Sequence, residues 1–140
     1  MYPLESRNNI LSALALLFGC SPKLYNNIKA DSVPASHPDY AVIYFYRPSG
    51  FVQTPYTVHL GDQPVFRSKN KAMAAVKVET PGEYEIWAKT ETRESIVVKV
   101  EPGQDYYVKT ITKFGAALWR PLLELMDPQA GKADWKALSR

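Results

Sequence analysis

This chain has little of the chemistry that enzymes and metal proteins need, since its 140 residues include one cysteine and two histidines. With one cysteine no disulfide can form within the chain. His37 and His59 make no His-x-x-x-His pair, and no group of carboxylates clusters with either of them. Metal sites need several such ligands together, so we expect no metal site and no other cofactor.

Sequence motifs of catalysis are missing as well. The chain has no Gly-x-Ser-x-Gly nucleophile motif and no glycine-rich phosphate loop. Glu83, Glu85, Glu91 and Glu94 gather around one predicted hairpin, where they occupy the polar side of a strand and its turn. Paired carboxylates can act as acid and base, but a solvated face explains this pattern better. We therefore expect no catalytic residues, and an enzyme of unknown substrate is the least favoured alternative.

An excess of charge is also lacking, because 17 basic residues nearly balance 14 acidic ones and leave a net charge of +3. Nucleic-acid binding needs a denser basic face, so we expect no nucleic-acid partner. The strongest cluster is the basic segment 67–71, which contains Arg67, Lys69 and Lys71. Such a short segment is typical of a solvated loop, and contact with anionic headgroups or glycan phosphates is the alternative.

Long apolar runs are absent too, but a short one lies near the N-terminus, from Ile10 to Phe18. About nine residues are too few to span a bilayer, which takes roughly 20, yet they suit the core of a secretory signal. The run leads to Gly19 and the sole cysteine, Cys20. A buried N-terminal helix that ends at Gly19 is the alternative.

The Leu-x-Gly-Cys junction resembles the lipobox of bacterial lipoproteins, although Phe18 departs from the usual small residue. The resemblance implies cleavage after Gly19, lipidation of Cys20 and attachment to a membrane. Ser21 follows the cysteine where inner-membrane retention usually uses aspartate. We therefore expect an outer-membrane lipoprotein of the cell envelope that faces the periplasm.

The remaining chain is long enough for one domain with its own core. We expect a signal peptide at 1–19 and, at 20–39, the lipidated cysteine followed by a flexible tether. This second segment is polar and rich in proline. A β-sandwich domain should occupy 40–128. Residues 129–140 should form a tail or a short helix around Ala133 to Leu138.

Short β-like runs separated by turn residues fill the predicted domain. The continuous apolar run Ala41 to Tyr46 predicts a strand buried on both faces. Gly61 to Pro64 predicts a hairpin turn. Pro121 interrupts the last apolar run and predicts an edge strand, because proline cannot donate a ladder hydrogen bond. About seven strands with regular turns predict an all-β, immunoglobulin-like or prealbumin-like antiparallel β-sandwich.

Aromatic residues offer the best candidates for binding. Trp87 falls on the polar side of its strand, and either Tyr106 or Tyr107 must face away from the core. Exposed aromatic side chains on a sheet often mark a binding surface, so we single out Arg47, Trp87 and Tyr107. The alternative is that the tether or the C-terminal segment covers this face with its own aromatic side chains, Trp119 and Trp135.

Three sequence pieces resemble a known bacterial family. They are Tyr44-Phe45-Tyr46-Arg47-Pro48, Pro81-Gly82-Glu83-Tyr84 and Pro102-Gly103-Gln104-Asp105-Tyr106-Tyr107-Val108. Together they resemble the domain of unknown function 2846, which is often found on predicted lipoproteins. The resemblance covers about Tyr40 to Met126. It implies a β-sandwich on the cell envelope and brings no activity with it.

The features together indicate a non-catalytic, lipid-anchored interaction or structural module. The membrane, through Cys20, and another envelope protein would be its partners. A periplasmic module that binds a glycan or a small apolar ligand through Arg47, Trp87 and Tyr107 is the alternative.

Overall fold

The computed structural model describes residues 25–50, 54–115 and 118–140. The predicted signal peptide and Cys20 lie outside these ranges. Within them the chain forms nine strands, a short 3-10 turn at Ala30–Ser32 and one helix. The strands and the helix are β1 (Tyr25–Ile28), β2 (Ala41–Tyr46), β3 (Tyr56–Leu60), β4 (Gln63–Ser68), β5 (Met73–Val78), β6 (Gly82–Lys89), β7 (Arg93–Val100), β8 (Asp105–Phe114), β9 (Trp119–Met126) and α1 (Pro128–Leu138).

The strands form two sheets, which confirms the predicted β-sandwich. A five-stranded sheet has the order β1-β5-β2-β8-β9, and a four-stranded sheet has the order β4-β3-β6-β7. Neighbouring strands are antiparallel except β2 and β8, which run parallel. Between β2 and β8 the chain builds the whole four-stranded sheet, and this long excursion supplies the crossover that a parallel pair requires.

The main core lies between the two sheets, because alternate residues of each sheet point inward. Strand β2 is central and is buried on both faces, as its apolar run predicts. Its inward side chains belong to the core between the sheets. Its outward side chains belong to a second cluster on the other face. The largest fully buried side chains of the inter-sheet core are Ile43, Phe45, Val58, Leu60, Val76, Val78, Ile86, Val98, Val100 and Val108.

Helix α1 covers the outer face of the five-stranded sheet. Its N-cap, Asp127, accepts hydrogen bonds from the backbone N–H groups of Gln129 and Ala130 at 3.1 and 3.2 Å, and Pro128 occupies its first turn. The expected boundary at 128/129 falls inside this helix, so residues 129–140 are not a separate tail. The helix lies very close to the sheet at Gly131, where a Cβ atom would stand 2.3 Å from Tyr107 Cβ.

The predicted tether is wrong for residues 25–39, which belong to the folded domain. Strand β1 pairs antiparallel with β5 along its whole length. Asn27 donates a side-chain hydrogen bond to the Val65 carbonyl at 3.0 Å, and Gln63 donates one to the Tyr25 carbonyl at 3.0 Å. These bonds join β1 to β4, the edge strand of the other sheet. A polar edge strand held by such bonds has no apolar alternation that a sequence pattern could show.

Two local predictions agree with the structure. Strands β3 and β4 form the expected hairpin across Gly61. Gly61 has a positive φ of 59°, a conformation that favours glycine. Strand β9, which carries Pro121, lies at the edge of its sheet.

The sandwich has two distinct ends. The first, the acidic end, contains the start of β1 and the turns after β3, β5 and β7. The second, the hairpin end, contains the end of β2, the β6–β7 turn and the β8–β9 hairpin. Tyr56 donates to the Ile111 carbonyl at 2.6 Å, and the hydroxyls of Ser68 and Thr110 lie 2.8 Å apart. These contacts hold the two sheets together at the hairpin end.

Candidate interaction surfaces

Arg47 lies inside the protein at the hairpin end, with only 2% of its surface exposed. Its Nη1 donates to the carbonyls of Thr54 and Ser68 at 2.8 and 3.2 Å, and its Nη2 donates to Thr112 Oγ1 at 2.9 Å. Burial lowers the pKa of the guanidinium from its usual value. Because β4 belongs to one sheet and β8 to the other, Arg47 ties the end of β2 to both sheets.

Tyr107 is also covered, with 6% of its surface exposed. It stacks on Tyr44 with ring centroids 4.8 Å apart, and Trp135 of α1 meets Tyr44 edge-on at 4.9 Å. Burial raises the pKa of Tyr107, and the nearby Asp105 carboxyl adds to the increase. The C-terminal segment therefore covers this outer face through Trp135. This is the alternative to an exposed binding surface that the sequence had left open.

Trp87 lies on the outer face of the four-stranded sheet, between strands β3 and β7. His59 of β3 stacks on its ring at a centroid distance of 4.0 Å and an angle of 7°. The guanidinium carbon of Arg93, from β7, lies 4.0 Å from the ring. The indole N–H donates to the Gly61 carbonyl at 2.7 Å. We call His59, Trp87 and Arg93 the Trp87 stack.

Polar and apolar side chains surround this stack. Arg93 Nη2 pairs with Glu85 Oε1 at 2.7 Å, which fixes the guanidinium over the indole. Val97 faces Glu85 across the strand pair and is 64% exposed. The helix packs on the other sheet, so no described element covers the Trp87 stack. This sheet therefore presents a held aromatic side chain and an exposed apolar one on an open face.

A second exposed surface lies at the tip of the β8–β9 hairpin. The last residue of β2, Tyr46, pairs with Lys109, and five further pairs carry the hairpin beyond it, ending with Phe114 opposite Trp119. The side chains of Phe114, Leu118 and Trp119 are 54%, 43% and 42% exposed, and the two aromatic rings lie 4.5 Å apart. We call these three residues the hairpin tip.

The hairpin tip was missed by sequence reasoning. That reasoning treated Trp119 only as a cover for another face and did not consider Phe114. A signal was present, because Lys113-Phe114 and Leu118-Trp119-Arg120 place aromatic side chains between cations on both sides of a short turn. Reading this signal requires knowing that β8 and β9 extend beyond the end of β2.

Charge is separated between the two ends of the sandwich. Among the described residues, the acidic end carries two lysines, Lys77 and Lys99, and a larger set of carboxylates, namely Asp39, Asp62, Glu79, Glu83, Glu101, Asp105 and Asp127. The hairpin end carries Glu91, Glu94 and, bonded to Tyr46, Asp134, together with a larger set of cations, namely Arg47, Arg67, Lys69, Lys71, Lys89, Arg93, Lys113 and Arg120. The described part of a nearly neutral chain thus has carboxylates concentrated at one end and cations at the other.

His37, which falls in the predicted tether, is buried at the acidic end. Its Nδ1 lies 2.8 Å from the Tyr40 carbonyl oxygen and its Nε2 lies 2.7 Å from Asp105 Oδ1. Both partners are acceptors, so the arrangement favours the protonated ring. Burial alone would lower the pKa of His37, but the hydrogen bonds to Tyr40 and Asp105 outweigh it and raise the pKa. His37 therefore fastens the segment before β2 to the start of β8.

A groove opens between α1 and the 47–50 segment, with a volume of about 290 Å³. Tyr46 donates to Asp134 Oδ2 at 2.7 Å on its floor, and Pro48, Ser49, Lys109 and Leu138 complete its lining. The groove combines an apolar wall with one cation and one carboxylate. Other grooves among the described residues have similar volumes of about 300–340 Å³.

The predicted binding residues do not form a single site. Trp87 lies on the outer face of one sheet, Tyr107 on the outer face of the other, and Arg47 in the interior at one end. Within residues 25–50, 54–115 and 118–140, no group of three His, Cys, Asp or Glu side chains is placed to hold a metal ion. No helix in these ranges has both the length and the hydrophobicity needed to cross a bilayer.

Comparison with protein-family models, curated proteins and solved structures found no match. The resemblance to the domain of unknown function 2846 therefore stays a prediction.

Proposed function

We propose that this protein is a lipid-anchored, non-catalytic interaction module of the cell envelope, which binds another envelope protein through the face around the Trp87 stack. The observation that carries the proposal is an indole held between His59 and Arg93 on an open sheet face. Tryptophan and arginine dominate the binding energy of many protein interfaces. This face offers both, side by side.

The stack is suited to binding because it is already ordered. Ordering a flexible side chain on association costs roughly 0.5–1.5 kcal/mol. Trp87 is held by its hydrogen bond to Gly61, and Arg93 by its pair with Glu85. Much of this cost is therefore met during folding. The exposed Val97 would supply apolar contact next to the stack.

The anchor would be Cys20, in an outer-membrane lipoprotein that faces the periplasm. Tyr25, the first residue of β1, lies only five residues after Cys20. Five residues span at most about 18 Å when extended. Lipidation of Cys20 would thus hold the domain against the bilayer, whereas a tether of 20 residues would hold it far away.

The anchor is tested by expression in a diderm host, membrane fractionation and intact mass. Wild-type protein should be in the membrane fraction with the added mass of a diacylglyceryl group, and a Cys20→Ser variant should not. Wild-type protein that is soluble and of unmodified mass would contradict the anchor.

The interaction is tested by chemical crosslinking in cells that express wild-type or Trp87→Ala protein. One defined complex with an envelope protein should form, and its purified components should bind at least tenfold more weakly with Trp87→Ala. Hot-spot truncations often cost 2 kcal/mol or more, which is roughly 30-fold. Equal affinity of the two proteins would contradict the proposed binding face.

A periplasmic ligand-binding module is the second candidate, and the groove beside Tyr46 favours it. Its lining of Lys109, Asp134 and apolar side chains suits a small polar ligand with an apolar part. Glycan and lipid arrays probed with Cys20→Ser protein test this candidate. Binding that is lost in Ser49→Trp, which would fill the groove, supports it, and an array without binding removes it.

A further inference from the structure

The hairpin tip has the composition of a membrane-contacting element. Phe114, Leu118 and Trp119 are exposed together on a hairpin that extends past the end of β2. Burial of aromatic and aliphatic side chains is favourable at the boundary between lipid headgroups and acyl chains, where tryptophan is especially enriched.

Cations lie close to the hairpin tip. Lys113 and Arg120 form the strand pair directly behind Phe114 and Trp119, and Arg120 also pairs with Glu94 at 3.8 Å. Thr90 of the β6–β7 turn donates to the Trp119 carbonyl at 3.0 Å, which brings Lys89 to the same end. Lysine and arginine near a surface of anionic lipids are each attracted to it.

We propose that the hairpin end binds an anionic phospholipid bilayer, with the side chains of Phe114, Leu118 and Trp119 inserted at headgroup level and the surrounding cations on the lipid phosphates. The charge separation supports this orientation. An anionic surface attracts the hairpin end more than the acidic end, so it favours contact through the hairpin tip.

The inference uses a surface separate from the Trp87 face, so either proposal can fail alone. It is compatible with an anchor at Cys20 if the strands of the domain run nearly parallel to the membrane plane. The nine-residue step from Asp105 to Phe114 separates the two ends by about 30 Å. The link from Cys20 to Tyr25 reaches at most about 18 Å. Both ends then meet one bilayer only when the strands run close to its plane.

The test uses the full chain with Cys20→Ser, so that no acyl chain contributes to binding. Sedimentation is measured with phosphatidylcholine vesicles and with vesicles that also contain phosphatidylglycerol. We expect binding to the anionic vesicles only, weakened by added salt. Brominated acyl chains should quench the tryptophan fluorescence, and Trp119→Phe should remove most of that quenching.

Variants separate the two contributions. A Phe114→Ser/Trp119→Ser double substitution should weaken binding at least tenfold, and Lys89→Gln/Lys113→Gln should weaken it roughly 25-fold, at about fivefold for each cation. Val97→Ser and Lys99→Gln are the matched controls, because they remove an exposed apolar side chain and a lysine elsewhere, and they should leave binding unchanged. Circular dichroism checks the fold of each variant.

Three results would overturn the inference. They are no sedimentation with anionic vesicles, equal sedimentation with neutral and anionic vesicles, and unchanged binding after the hairpin-tip substitutions. None of these results bears on the Trp87 face, which is tested with an envelope protein and without lipid.

Discussion

Both outer faces of the sandwich carry an aromatic stack, but only one of the two stacks is covered by another element of the described chain. On the five-stranded sheet, Tyr44 and Tyr107 stack beneath Trp135 of α1. On the four-stranded sheet, the Trp87 stack faces outward without a cover among the described residues. The first stack contributes to stability because the chain itself supplies its partner. The second is held by its own hydrogen bond and ion pair, and this difference is the basis of the proposal that another molecule covers it.

The largest expected contrast comes from truncating one aromatic residue on each face. Tyr107→Ala should lower the free energy of unfolding by about 3 kcal/mol, because it opens a cavity under the helix. Trp87→Ala should lower it by about 1 kcal/mol, since the indole lies at the surface, is only partly buried, and loses mainly its hydrogen bond and its contacts with His59 and Arg93. Urea unfolding of both variants measures the difference. An equal decrease in the free energy of unfolding for the two variants would show that both aromatic stacks serve mainly stability, and would contradict the comparison.

Gly131 tests how closely the helix must approach the covered face. Gly131→Ala adds a Cβ atom 2.3 Å from Tyr107 Cβ, so the helix must move outward. Overpacking of this kind costs about 1–3 kcal/mol, although alanine is the better helix former. Thermal unfolding measures the loss, and Ala133→Gly, at an exposed helical position, is the control for helix propensity. A stabilised Gly131→Ala protein would contradict the close packing.

His37, buried at the acidic end, should contribute to the free energy of unfolding in a way that depends on pH. The folded-state pKa is raised above the unfolded value of about 6.5, so the folded protein binds the proton more tightly. The stabilisation is therefore complete below the unfolded pKa and is lost as pH rises through the folded pKa. Unfolding of wild type and His37→Gln across this range should show a difference that shrinks at high pH. A difference that grows with pH would contradict the protonated arrangement.

The smallest effect on stability is expected from Arg93→Gln. Its ion pair with Glu85 is about half-exposed, and such pairs contribute about 0–1 kcal/mol. The variant should unfold almost as wild type does, yet bind the envelope partner more weakly, because the guanidinium no longer covers the indole. A destabilisation comparable to that of Tyr107→Ala would place the Trp87 stack among the structural elements.

Much of the sandwich could be predicted because its strands carry local signals. The apolar run of β2, the turn at Gly61 and the edge position of Pro121 each follow from a rule that acts over a few residues. Strand β1 has no such signal, since its sequence Tyr-Asn-Asn-Ile gains its order from β5 and from side-chain bonds to β4. The helix was expected only around Ala133 to Leu138, whereas it begins at Pro128 and includes Gly131, where the absence of a side chain permits close packing.

The candidate sites were harder to predict, because they depend on contacts between distant parts of the chain. Alternation along β6 places Trp87 on the outer side, and the structure has it there. The same reasoning could not show that Arg47 reaches Thr112, 65 positions further along, or that α1 returns to cover Tyr107. The hairpin tip likewise depends on β8 and β9 extending beyond β2, which only the strand register shows.

The most direct test of the open face is a photoreactive amino acid placed at position 97 in living cells, with position 132 on α1 as the matched control. Both positions are exposed, but only Val97 adjoins the Trp87 stack. We predict a crosslink to one envelope protein from position 97, none from position 132, and loss of the crosslink with Trp87→Ala. No crosslink from position 97, or one that persists with Trp87→Ala, would contradict the assignment of this face to a partner.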